Sequence, residues 1–141
     1  MNVEIMDTLS ESTAAMAKDL FHPALDDIDP AVLLAAMGEP TRLAIVLSLA
    51  EEEAECRCGA FNPLASASNL SYHFQKLREA GVTSTRHAGT SKFIRLRRDD
   101  LDRRFPGLLD AIIYSARQSP PIAAMAELAA VQRSINEASD A

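Results

Sequence analysis

The 141-residue chain is poor in several residue types, and each shortage narrows what it can be. It contains no tryptophan and only 5% aromatic residues, and its two cysteines and three scattered histidines give no zinc-site spacing. No apolar run approaches the roughly 20 residues of a membrane-spanning helix. The first residues are acidic rather than basic, unlike a secretory signal. We therefore expect a cytoplasmic protein with no membrane association and no structural disulfide.

Catalytic motifs are also missing, so the sequence predicts no enzyme. It has no nucleophile paired with a base, no glycine-rich phosphate loop and no carboxylate cluster suited to a metal. The length matches one domain with a core of its own. Apolar residues make up 48% of the chain, and alanine and leucine dominate among them. This composition favours helices packed on helices.

Positive charge is concentrated in the middle of the chain, although the net charge is −6. Residues 56–104 hold 10 basic and 4 acidic side chains, whereas residues 1–55 hold 2 basic and 12 acidic ones. Attraction to phosphates is screened over about 8–10 Å, so a local surplus of charge counts for more than the net charge. The middle segment is therefore the candidate nucleic-acid surface.

Within this segment, residues 68–82 (SNLSYHFQKLREAGV) have the pattern of an amphipathic helix. Leu70, Phe74 and Leu77 recur at i, i+4 and i+7 and predict a buried face. Gly81 stands where a helix C-terminal stop belongs. The other side carries hydrogen-bonding side chains of the kind that contact bases and phosphates. The predicted DNA-facing residues are Ser68, Asn69, Ser71, Tyr72, His73, Gln75 and Lys76.

A basic hairpin is predicted directly after this helix, because β-forming residues flank the glycine-containing turn 88–91. A shorter helical segment at 56–61, which ends at Asn62-Pro63, precedes the helix. This order is that of a winged helix-turn-helix, in which the wing lies on the phosphate backbone or in the minor groove. A hairpin that merely covers the edge of the core is the alternative. The predicted phosphate contacts are Lys76 of the helix and Arg86, Lys92 and Arg95 of the hairpin.

The predicted fold is mainly α with a small antiparallel β-hairpin wing. Asp29-Pro30 and Pro40 are expected to begin two helices. The apolar faces of the terminal helices suggest a symmetric dimer interface, although packing on the same subunit would also bury them. The predicted divisions are an N-terminal helix and linker that could act as a dimer arm (1–29), a winged helix-turn-helix DNA-binding domain (30–117) and a C-terminal helix (118–141).

Two motifs resemble those of one family. Residues 37–45 (MGEPTRLAI) resemble the LGDPTRLxIL opening of the arsenic-repressor (ArsR/SmtB) family of bacterial regulators. Residues 70–82 resemble the SxHLxxLRxAGL recognition helix of that family, and the likeness extends over roughly residues 30–115. The resemblance implies a homodimeric repressor that binds an inverted-repeat DNA operator. It also implies release from the operator when a metal ion binds or a thiol is oxidised.

Cys56-Arg57-Cys58 stands where the family has a Cys-x-Cys metal site. Arsenite, As(III), prefers three soft thiolates, and each subunit offers two. The cysteines have three interpretations: a soft-metal or metalloid site, a redox pair whose thiolates Arg57 stabilises, or small residues that fill the core. A second family site after the wing is absent, because no histidine follows His87.

The alternative to a DNA-binding repressor keeps the winged fold but changes its partner. In that interpretation the basic surface is weak, and the terminal helices bind another protein. The salt dependence of DNA binding separates the two interpretations, since contacts to phosphates weaken steeply as salt rises.

Overall fold

The structure, a computed structural model, describes residues 20–52 and 55–140. The α-helices are α1 (Pro30–Met37), α2 (Pro40–Ala50), α3 (Ala67–Glu79), α4 (Arg98–Arg104), α5 (Leu108–Arg117) and α6 (Pro120–Asp140). The strands are β1 (Cys56–Arg57), β2 (Thr83–Ala88) and β3 (Ser91–Leu96), and 3-10 helices span Leu25–Asp27 and Cys58–Leu64. The predicted fold class is confirmed. The predicted N-terminal helix, apart from Leu20, lies outside the described residues.

The first two α-helices begin where their capping residues predict. The Asp29 side chain accepts a hydrogen bond from the Ala31 N–H at 2.8 Å, and Glu39 accepts one from the Arg42 N–H at 2.9 Å. Pro30 and Pro40 occupy the first helical positions, where a missing N–H costs nothing. Helix α2 is buried from Ala44 through Leu49 and forms the centre of the core.

The segment before α3 differs from the predicted short α-helix. Cys56 and Arg57 pair antiparallel with Ile94 and Phe93 of β3, and a 3-10 helix follows. Backbone hydrogen bonds to the open edge of β3 compete with a local helix here. A glycine and a proline in residues 58–64 also disfavour the α-helical form. The first helix of the helix-turn-helix is therefore a 3-10 helix.

The three strands form one sheet in the order β1-β3-β2. Because side chains alternate along a strand, Cys56, Thr85 and Ile94 face the core. The opposite side carries no buried residue and is called the outer sheet face below. Its residues are Arg57, Ser84, Arg86, Ala88, Ser91, Phe93 and Arg95.

Helix α6 packs on its own chain along one side. It lies against α2 and the 3-10 helix Cys58–Leu64, with Ile122, Ala126 and Ala129 buried. Its other side exposes an apolar stripe, which consists of Leu128, Val131 and Ile135. Among the described residues, no single helix is long and apolar enough to cross a membrane; α1 and α2 reach that length only together, with a 96° bend between them.

The segment before α1 is fastened to the sheet and to α3 by hydrogen bonds from distant residues. Arg78 donates to the Phe21 carbonyl at 3.1 Å, and Arg97 donates to the Pro23 carbonyl at 2.7 Å. The Thr85 N–H of edge strand β2 donates to Nε2 of His22 at 3.0 Å. Ile28, 1% exposed, then enters the core. This segment therefore satisfies one N–H on the free edge of β2.

Gly81 lets Ile28 reach the core and ends α3. Its φ is +85°, and hydrogen bonds from Val82 N–H to the Leu77 carbonyl and from Gly81 N–H to the Arg78 carbonyl complete a Schellman ending. A Cβ on Gly81 would lie 2.7 Å from two carbons of Ile28. The predicted helix stop is thus also a packing requirement.

Gly81→Ala should destabilise the protein more than Gly107→Ala. Gly107 has a φ of +82°, yet nothing lies within 4 Å of its would-be Cβ, so this variant measures backbone strain alone. We expect Gly107→Ala to cost about 1 kcal/mol and Gly81→Ala about 1–3 kcal/mol more, because Ile28 must move. Urea unfolding measures both values. Equal losses of unfolding free energy in the two variants would show that Ile28 can move aside without cost.

His22 should make the stability depend on pH. Burial lowers the pKa of His22 from its ordinary value of 6.5. A hydrogen bond with the Leu20 backbone partly opposes this shift, and the positive charges of Arg78 and Arg97 lower the pKa further. The unfolded chain therefore takes up this proton first, so the free energy of unfolding should fall as pH drops below 6.5. Urea unfolding of His22→Gln, which keeps an acceptor for Thr85 but does not titrate, should show a smaller fall. An identical pH dependence would exclude His22 as its source.

Candidate nucleic-acid interface

Helix α3 is oriented by its cap and by its buried face. Ser66 Oγ accepts a hydrogen bond from the Asn69 N–H at 3.3 Å, so Ser66 is the N-cap. Leu70, Phe74 and Leu77 are buried, as the spacing predicted. The Phe74 ring meets Phe61 of the 3-10 helix edge-on, with the ring centroids 5.9 Å apart. Because this side is buried, the opposite side of α3 faces solvent.

Five of the seven predicted DNA-facing residues form an exposed polar row on α3. This row consists of Ser68, Asn69, Ser71, Tyr72 and Gln75. Gln75 donates to the Glu79 carboxylate at 2.9 Å. Lys76, the sixth predicted residue, is half-buried, and its ammonium lies 5.3 Å from the centroid of the Tyr72 ring. These contacts along the helix limit the rotamers of both long side chains.

His73, the seventh, is turned inward, and its side chain is 13% exposed. Nη1 of Arg42 lies 3.2 Å from Nδ1 of His73, and Nε of the same arginine donates to the Ala36 carbonyl at 2.6 Å. A guanidinium only donates, so Nδ1 accepts and the ring proton sits on Nε2. Glu39 Oε2, 3.6 Å from Nδ1, is too far for a hydrogen bond. His73 therefore joins α3 to the start of α2.

The three predicted phosphate contacts of the hairpin do not share one face. Arg86 and Arg95 lie exposed on the outer sheet face. Lys92 lies on the other side of the sheet, half-buried and opposite His87. With Cys58 and Asn136 it lines an open cavity of about 430 Å³ between the turn of the hairpin and α6. Alternation along β3 separates residues that the sequence groups together.

Ion pairs reduce the positive surplus of the middle segment. Arg98 pairs at 2.8 Å with Asp110, which lies outside the segment, whereas the partner of Arg97 at 2.9 Å, Asp100, is one of the segment's own four acids. Arg86 makes a forked hydrogen bond to Glu55, and its Nε lies 2.7 Å and 3.0 Å from the two carboxylate oxygens. Glu55 is only one residue outside the basic segment, and sequence reasoning missed it. Only the sheet geometry brings it to Arg86.

Cys56 is separated from Arg57, which was expected to stabilise the thiolates of both cysteines. Cys56 faces the core, whereas the Arg57 guanidinium lies over Phe93 on the outer sheet face. Burial raises the pKa of Cys56, although Arg133 opposes it, and burial raises the pKa of Cys58 to about 11. Burial therefore disfavours the thiolate form of both cysteines.

A metalloid site does not fit these residues. A soft metal needs thiolates, and As(III) prefers three of them. In the described ranges 20–52 and 55–140, no group of three His, Cys, Asp or Glu side chains could hold a metal ion. Within one subunit, the described residues therefore offer As(III) two thiols, one fewer than it prefers.

Comparison with known proteins identifies the family. No protein-family model matches the chain. It is 35% identical over 89 residues to YceK of Bacillus subtilis, described as an uncharacterized HTH-type transcriptional regulator; the match spans 62% of this chain and 89% of YceK. A second uncharacterized HTH-type transcriptional regulator, from Methanocaldococcus jannaschii, is 36% identical over 64 residues, which are 45% of this chain and 72% of the relative. The chain belongs to the HTH-type transcriptional regulators.

In an HTH-type regulator, the orientation of the second helix decides which side chains meet DNA. Here that helix is α3, and His73 and Arg42 connect it to α2 across 31 positions of sequence. Periodicity alone placed His73 with the exposed residues. His73 points inward because it contacts Arg42, and nothing in the sequence indicates that Arg42 lies beside α3. We therefore treat His73 as a positioning residue.

His73→Ala should weaken binding to duplex DNA without changing its salt dependence. The variant loosens α3 but removes no phosphate contact, so log Kd should rise equally at every salt concentration. His73→Asn should restore affinity, because its Oδ1 can accept from Arg42 where Nδ1 does. Fluorescence anisotropy over a salt series measures both quantities. A flatter slope for His73→Ala, with no rescue by asparagine, would instead make His73 a direct DNA contact.

Proposed function

We propose that this regulator is a homodimeric, non-enzymatic repressor of the ArsR/SmtB type that acts on chromosomal DNA in the cytoplasm. The observation that supports it best is the exposed polar row of α3, which has no acidic member and lies beside a basic hairpin. Such a row offers donors and acceptors to base edges in the major groove. Asn69 and Gln75 are the amides suited to adenine.

The hairpin supplies the sequence-independent part of this proposal. Arg86, Lys92 and Arg95 are its basic residues, and Lys76 of α3 adds a fourth positive charge. Contacts to phosphates fix the register of a protein on the duplex, and base contacts then choose the sequence. The hairpin should therefore govern affinity for all DNA, while α3 should govern the choice among sequences.

The dimer in this proposal forms through apolar residues of the helices that flank the winged core. An open apolar groove of about 410 Å³ lies between α1, α5 and the start of α6, and Leu34, Leu43 and Ile112 line it. Tyr114 of α5 is 65% exposed and Leu34 is 48% exposed. A second copy would cover these groups and place the two α3 helices about one DNA turn, ~34 Å, apart.

An effector would release the operator by favouring a dimer geometry that cannot match this spacing. One subunit offers a metalloid effector only two thiols, one fewer than As(III) prefers.

The exposed apolar stripe of α6 favours a second candidate function, a protein-interaction module. Leu128, Val131 and Ile135 recur along one side of α6 and are about half exposed. In that case the winged core would present α6 to a partner and bind DNA weakly. A DNA affinity that hardly responds to salt would support this candidate.

Substitutions in α3 and in the hairpin should affect DNA binding differently. Asn69→Ala or Gln75→Ala should change which operator variants bind best, at a cost of about 1–3 kcal/mol on the preferred sequence. Arg95→Ala should weaken binding to all sequences and reduce the salt slope by about 0.9. Arg103→Ala is the control, because it removes an exposed charge from α4 outside the predicted contacts. The measurement is anisotropy titration with the chain's own promoter and with a scrambled duplex.

Three results would contradict the repressor. The first is that unaltered protein binds both duplexes equally and the α3 variants change nothing. The second is that Arg103→Ala flattens the slope as much as Arg95→Ala, which would place the phosphate surface elsewhere. The third is that sedimentation shows a monomer that still binds the full promoter site.

A further inference from the structure

The outer sheet face holds a stack of two guanidinium groups on one aromatic ring. Arg57 of β1 and Arg86 of β2 are both cross-strand neighbours of Phe93 in the central strand. The guanidinium carbon of Arg57 lies 5.7 Å from the centroid of the Phe93 ring, and that of Arg86 lies 4.6 Å from it. Contact with the ring face orients the planar guanidinium of Arg86, and its edges then point toward hydrogen-bonding partners beside the ring.

One edge of Arg86 is occupied by Glu55. Nε of Arg86 donates to both carboxylate oxygens, at 2.7 Å and 3.0 Å, and Nη2 donates to Oε1. The Glu55 side chain is 25% exposed and the Arg86 side chain is 55% exposed, so the pair lies at the surface. Its forked geometry is the one that guanidinium groups adopt with any oxyanion that offers two oxygens.

The strand residues of the outer sheet face include no acid. Three of the seven are arginines, and the remaining four are serine, alanine and phenylalanine. Arg95 is exposed two positions after Phe93 on the same face. Glu55 reaches this face from the residue before β1. A surface with this charge pattern suits an external oxyanion, and a carboxylate from the chain itself holds the position in the free protein.

We propose that Arg86, stacked on Phe93 beside Arg57, is a binding site for a backbone phosphate of duplex DNA, and that Glu55 occupies it as an internal competitor. This inference rests on the proposed function. The two non-bridging oxygens of a phosphodiester match the two oxygens of the Glu55 carboxylate. Binding exchanges one oxyanion for another on the same guanidinium edge, and no covalent bond changes.

The competitor has a physical consequence for affinity. Each duplex phosphate that reaches Arg86 must displace Glu55. The contact therefore contributes less binding free energy than the same contact to an arginine without a carboxylate partner would. The loss applies to every sequence, since phosphates carry no sequence information. Glu55 therefore limits the attachment of the free protein to arbitrary DNA.

Glu55→Gln should tighten binding to the promoter and to a scrambled duplex by a similar factor. We expect a gain of about two- to fivefold at low salt, the range that an exposed ion pair is worth. The matched control is Glu51→Gln, which removes the same charge from an exposed pair with Arg117, 3.1 Å apart. In an Arg86→Gln background, Glu55→Gln should have no effect, because the site is already gone. Urea unfolding confirms that each variant is folded.

The outcomes separate this inference from the proposed function. If Glu55→Gln matches Glu51→Gln while α3 variants still abolish sequence preference, the stack is not a phosphate site and the repressor stands. If folded Glu55→Gln binds DNA more weakly, Glu55 supports the interface and the competitor is excluded. If the gain in DNA affinity persists in the Arg86→Gln background, it comes from the loss of a negative charge in general and not from this site. If unaltered protein binds no duplex, the proposed function fails first.

Discussion

The structure depends on the burial of one side of α3 against the 3-10 helix and the core. Leu70, Phe74 and Leu77 are at most 6% exposed, and Phe74 meets Phe61 edge-on. Burying each such side chain is worth about 1.5–3 kcal/mol, far more than any single exposed polar contact of α3. The helix can therefore adopt one rotation only. The exposed polar row follows from that rotation, because an α-helix repeats every 3.6 residues.

The same rotation explains why the row is short of positive charge and why the hairpin supplies it. Positions next to the buried side, such as His73 and Lys76, are half-buried, with His73 against Arg42 and Lys76 over the ring of Tyr72. Arg86 and Arg98 of the middle segment pair with Glu55 and Asp110, two acids from outside it. Composition predicted the location of the basic surface, but it overstated the charge available there, since pairing depends on acids brought in by the fold.

Local sequence signals predicted where the helices and the hairpin lie. They did not predict the features that depend on contacts between residues far apart in the sequence. The capping residues Asp29 and Pro30, the i, i+4, i+7 spacing in α3 and the turn glycine Gly89 each act within a few residues, and the helices and hairpin formed where they indicated. Strand β1 was missed because its partner in β3 lies more than 35 residues away. The position of His73 was missed for the same reason. The remaining candidate site residues stay predictions, because only binding to DNA tests them.

Strand β1 also determines what the cysteines can do. Alternation puts Cys56 in the core and Arg57 on the outer sheet face, so three consecutive residues serve two surfaces. A larger group on Cys56, which is 4% exposed, would press on the close-packed side chains around it. Because Arg57 is the other residue of the same two-residue strand, any displacement of that strand would also displace the guanidinium that lies over Phe93.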